Sequence, residues 1–129
     1  MNATAARFWT AIDQLVRDST IKIDRPQGSH HPRFPDLIYP HAYGHLEQTR
    51  AMDGGGIDIW LGSLPEKTPT AILATVDLFK RDSEIKILLG CTAAEIQTIL
   101  AFHNTGSQSA ALLQRVRGTK CKPNPRRDR

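Results

Sequence analysis

Residues 25–44, RPQGSHHPRFPDLIYPHAYG, constrain the fold more than any other stretch of this chain. Four prolines and two glycines exclude a helix there and break any long strand, because proline lacks the backbone donor both need. A connection this long inside a compact domain usually serves a function when it is ordered. Phe34, Leu37, Ile38, Tyr39 and Tyr43 supply enough apolar anchors to predict order. Regular structure must therefore come from either side of it.

Before this loop, Phe8, Ile12, Leu15 and Val16 recur at helical spacing over residues 4–18, with Thr4 as the N-cap. TIKID (20–24) alternates and ends at Pro26, so it reads as a strand. After the loop, HLEQT (45–49), GIDIWLGS (56–63), TAILATVDLFK (70–80) and EIKILLG (84–90) read as four more, the last two joined by the turn RDS. Thr92 and Glu95 form a capping box that opens a helix carrying Ile96, Ile99, Leu100 and His103 on one face. SAALLQRV (109–116) completes the set. The expected class is mainly β with two flanking helices, an α+β barrel or strongly bent sheet of five to six strands.

Residues 115–129 hold seven Lys/Arg and one Asp, a balance of +6, leaving 10 bases and 12 acids, or −2, in residues 1–114. The net +4 is thus a property of the tail. We expect one domain over 1–116 and a basic, solvated, disordered tail over 117–129. The body is not a basic nucleic-acid surface, and 6% aromatics are few for a single-strand stacking platform. No apolar run approaches the roughly 20 residues a bilayer requires, and the N-terminus has no secretory h-region, so a cytoplasmic location without a membrane partner is expected. Two cysteines without a CxxC pair indicate neither a disulfide framework nor a thiolate zinc site.

The segment MDGGGIDIW (52–60) sets Asp53 and Asp58 on either side of three glycines. Glycine reaches backbone angles closed to other residues, so both carboxylates can face one point, where a hard cation such as Mg²⁺ would neutralise them. A type I′ or G1-bulge hairpin with two solvated aspartates explains the same residues. Asp82 and Glu84, with Lys86 two positions on, and Asp24 add acids at other strand ends. With Arg33, Tyr39, Tyr43 and Lys86 interleaved, the set suits a metal-bound phosphate. His41 and His45 are four apart, but Pro40 and Gly44 prevent the helix a zinc-protease motif needs. His30, His31 and Cys91 read as loop and core residues.

In order along the chain, IDRPQGS, YPHAYG (39–44), DGGGID (53–58) and EIK (84–86) resemble motifs of the soluble, single-domain inorganic pyrophosphatases with an OB-like barrel. The resemblance spans residues 21–90. It implies metal binding by Asp53, Asp58, Asp82 and Glu84, with Asp24 in the acidic shell. It also implies phosphate contacts from Arg33, Tyr39, Tyr43 and Lys86, and places Asp53, Asp58 and Tyr43 at the catalytic centre. The implied reaction is Mg²⁺-dependent hydrolysis of pyrophosphate, or a related phosphoanhydride, to two phosphates, with Mn²⁺ as an alternative metal. Gly55 stands where that family has its middle aspartate, and its C-terminal Tyr-Lys pair has no counterpart near AFHNTGSQ. The alternative is a module of this fold that binds pyrophosphate or nucleotide without efficient turnover. A homo-oligomer is left open.

Overall fold

The computed structural model describes residues 3–116; the basic tail and Cys121 lie outside the described residues. Helix α1 (Ala3–Arg17) is followed by strands β1 (Thr20–Arg25), β2 (Ala42–Glu47), β3 (Ile57–Leu61), β4 (Pro69–Asp77) and β5 (Asp82–Leu89). Helix α2 (Ala93–Phe102) and strand β6 (Gln108–Gln114) complete the order. All six strands form one sheet in the order β1-β2-β3-β5-β4-β6. It consists of two three-stranded antiparallel units, the meander β1-β2-β3 and the set β5-β4-β6, joined by one parallel seam between β3 and β5. In the second unit α2 carries the chain from β5 across to the far side of β4.

Both faces of the sheet are covered, which is why its central strands bury side chains in both directions. Ile59, Ile72, Ile87 and Leu89 pack with Trp9 and Ile12 of α1. Trp60, Leu73 and Leu88 pack on the opposite face with Ile96 and Ile99 of α2, and Tyr39 joins them from the loop. Each such aliphatic side chain removed from water contributes about 1.5–3 kcal/mol. Ile12 and Val16 of the expected α1 stripe pack on the core, but at its N-terminal end Trp9 is buried in place of Phe8, which is 38% exposed. Thr4 lies within the helix and not at its cap.

Two local devices place the site. The capping box of α2 forms as read, with Glu95 N donating to Thr92 Oγ1 and Thr92 N to Glu95 Oε1. The same Glu95 oxygen accepts from Ser63 N, tying the helix start to the loop after β3. In β1 a bulge falls between Ile23, paired with Gly44, and Arg25, paired with Tyr43. Asp24 is the extra residue, so Arg25 stands beside Tyr43. Strand β2 begins three residues before the expected position and so includes Tyr43. No described helix is long and apolar enough to cross a membrane.

Candidate active site

The parallel seam sets Asp58 opposite Lys86, and β2 sets Tyr43 opposite Trp60, two positions further along and so on the same face. Lys86 Nζ donates to Asp58 Oδ2 at 2.8 Å, Glu84 Oε1 at 2.6 Å and Tyr43 Oη at 2.9 Å. Tyr43 Oη in turn donates to Asp58 Oδ2 at 2.8 Å. The lysine side chain is only 5% exposed, against 29% for Asp58 and 20% for Glu84. Burial works against its charge, but Tyr43, Asp58 and Glu84 outweigh that and hold its pKa above the ordinary lysine value. Burial, reinforced by Asp58 and opposed by Lys86, raises Tyr43 well above a free phenol. The centre is therefore an ammonium and a neutral phenol at any physiological pH.

From Tyr43 and Lys86 a cleft of about 1070 Å³ opens between the proline-rich loop and the turn after α2. Arg25, Arg33, Lys80 and Lys86 line it against Asp36 and Asp77, four cations to two carboxylates. Asp77 Oδ1 is occupied by hydrogen bonds from the Phe79 and Lys80 amides and the Ser107 hydroxyl. His31 Nδ1 accepts from the Arg33 and Phe34 amides and so pins the tip of the loop. Burial, then Arg25, Arg33 and Lys80, lower its pKa, leaving the ring neutral. Behind Tyr43, Trp60 Nε1 donates to His103 Nε2 at 2.9 Å, and His103 Nδ1 lies 2.7 Å from Gln108 Oε1. Burial lowers His103 to about 4.

The structure thus brings Arg33, Tyr39, Tyr43 and Lys86 to one cleft and joins Asp58 and Glu84 to Lys86. The other three acids stand elsewhere. Asp53 Oδ1 accepts from Gly55 N at 2.9 Å within its own exposed turn, where Gly54 has φ +91°. Asp82 faces Lys80 at 3.8 Å, and Asp24 Oδ2 lies 2.7 Å from His45 Nδ1. Among the described residues, no group of three or more His, Cys, Asp or Glu side chains is arranged to hold a metal ion. A cage of five acids does not fit this arrangement. The hydrogen bonds of Asp58 and Glu84 use one oxygen each, Oδ2 and Oε1. Asp58 and Glu84 stand together on the Lys86 ammonium and do not themselves line the cleft; carboxylate oxygens are the donor type a hard cation such as Mg²⁺ takes.

Sequence reasoning missed Arg25 and Lys80 and read His31 only as a loop residue, whereas His103 is the buried, hydrogen-bonded histidine expected on the apolar face of α2. Alternation along TIKID would turn Arg25 away from Tyr43, and only the bulge reverses this.

No protein-family model and no curated protein matches the chain. Solved structures do. An inorganic pyrophosphatase from Neisseria gonorrhoeae is 18% identical, with a TM-score of 0.58 over 73% of this chain and 80% of its own. The inorganic pyrophosphatase from Thermus thermophilus is 18% identical, with a TM-score of 0.54 over 75% and 81%. One from Coxiella burnetii is 13% identical, with a TM-score of 0.52 over 73% and 82%. With two helices and a six-stranded mixed sheet among the described residues, this chain has an inorganic pyrophosphatase-like, OB-like α+β fold.

Proposed function

We propose that the protein binds inorganic pyrophosphate, or a related phosphoanhydride, in this cleft and hydrolyses it with Mg²⁺ or Mn²⁺. The observation that carries the proposal is the Lys86–Tyr43–Asp58–Glu84 cluster at the inner end of a cleft lined by four cations. Lys86, Arg25, Arg33 and Lys80 neutralise the phosphate oxygens, and Tyr39 and Tyr43 hydrogen-bond them. Asp58 and Glu84 would hold the cation, which when bound supplies Lewis acidity and charge neutralisation. Lys86 stays protonated and Tyr43 stays neutral, so neither serves as a base. Asp58 is the carboxylate that would take the proton of the attacking water. Sequence likeness alone attaches Asp24, Asp53 and Asp82 to the metal set.

Binding without efficient turnover is the second reading, favoured by one observation: the carboxylate of Asp53 closes its own turn, and Gly55 has no side chain to orient a water. Phosphate release from pyrophosphate with Mg²⁺, together with calorimetry, tests both. Turnover in the wild type that falls at least about 100-fold in Asp58→Asn supports hydrolysis. Binding without release supports the second reading. No binding with or without metal removes both.

A further inference from the structure

Inorganic pyrophosphate has no apolar surface, yet one wall of the cleft is aromatic. Phe34, His31, Tyr39 and Phe102 all line it and follow one another ring against ring. Their successive centroids are 5.2, 6.0 and 5.1 Å apart, and His31 lies within 4° of parallel to Tyr39. Tyr39 is buried, whereas Phe34 at the outer end is 59% exposed. The loop spends two backbone-to-imidazole hydrogen bonds holding that turn in place. The neutral imidazole keeps the run a π surface instead of a row of charge. A large exposed aromatic beside four cations is the composition of a site for a ligand with one planar apolar part and one polyanionic part.

We infer that the ligand of this cleft is a nucleoside di- or triphosphate, its base stacked on Phe34 at the exposed end of the aromatic run and its phosphates on Arg25, Lys80 and Lys86. The inference rests on the phosphoanhydride reading above and names the substrate class within it. Arg33 is next to Phe34 in sequence and lines the same cleft, so the sugar and first phosphate fall between the ring and the cations. The volume of about 1070 Å³ exceeds what a bare diphosphate fills and is ample for a nucleotide.

Calorimetry of the full chain with ADP and with pyrophosphate, each with Mg²⁺, tests it. ADP is expected to bind at least about 10-fold tighter than pyrophosphate. Phe34→Ala should weaken ADP about 10-fold, as loss of one base-stacking ring does, and leave pyrophosphate unchanged. Phe34→Trp should restore ADP binding. Phe34 is exposed and outside the core, and the thermal midpoint of each variant checks that it folds. Equal affinities for the two ligands, or a Phe34→Ala effect equal on both, would overturn the nucleotide inference and leave the phosphoanhydride reading standing. Binding of neither ligand would overturn both.

Discussion

Lys86 and Asp58 occupy directly opposed positions across the parallel β3–β5 pair, with the ammonium 2.8 Å from Asp58 Oδ2 in a nearly dry setting. Removing one partner of such a pair strands the other, which costs more than the pair itself contributes. Because Asp58 and Glu84 keep some solvent contact, Lys86→Met should destabilise the fold by about 2–3 kcal/mol in urea titration. Asp58→Asn in the same background should recover part of that loss. A full-size loss with no coupling between the two would mean that packing, not charge, dominates here.

His103 makes stability depend on pH. Its folded pKa of about 4 lies below the free value of 6.5, so below pH 6.5 the unfolded chain takes up a proton the native ring refuses. Stability is complete above pH 6.5 and falls until about pH 4, by roughly 3 kcal/mol for this buried ring. Denaturation of the wild type and His103→Gln across that interval isolates the effect. The variant should show the shallower slope.

Glu95 acts in a lower window. Burial pushes its pKa up, but hydrogen bonds from Thr92 and Ser63 overcome it and hold the carboxyl at about 2 instead of 4.5. Its stabilisation is present above pH 4.5 and disappears as pH falls toward 2. Allowing for solvent contact, Glu95→Gln should cost about 1–2 kcal/mol at pH 7. The difference from wild type should close by pH 2, read by circular dichroism.

Gly44 sits where β1 leaves no room for a side chain. A Cβ there would collide with Lys22 O and lie 2.8 Å from Ile23 Cα. Gly44→Ala must part β1 from β2 beside Tyr43, at a cost of about 2–4 kcal/mol. Hydrogen exchange should locate the lost protection in residues 20–25 and 42–47. Unchanged exchange there would show that the strands can absorb the methyl.

Much of this architecture was legible in the chain. The apolar runs of β4 and β5, joined by a polar turn, and the Thr92–Glu95 box mark elements whose local chemistry and tertiary role agree. Tyr43 and Gly44 read as loop because proline density masks a strand that pairing with β1 and β3 imposes. Arg33, Tyr39, Tyr43 and Lys86 were nameable from residue types in order, whereas Arg25 and Lys80, the other two cations of the cleft, were not. Nor was the arrangement of the carboxylates, since side-chain partners decide it: Asp53 turns to Gly55 N, and Asp24 is swung aside by the bulge. His103 gives no local sign of its bond to Trp60, which joins residues 43 positions apart.

The single parallel seam has a consequence for when chemistry becomes available. Tyr43 and Asp58 arrive on one three-stranded unit, Glu84 and Lys86 on the other, and neither set is complete alone. A chain with both units formed but undocked would hold no complete centre, so ligand binding would report their docking. Cutting the chain within residues 62–68 would make two fragments that each lack half the centre, and their reunion could be followed by ligand binding alone.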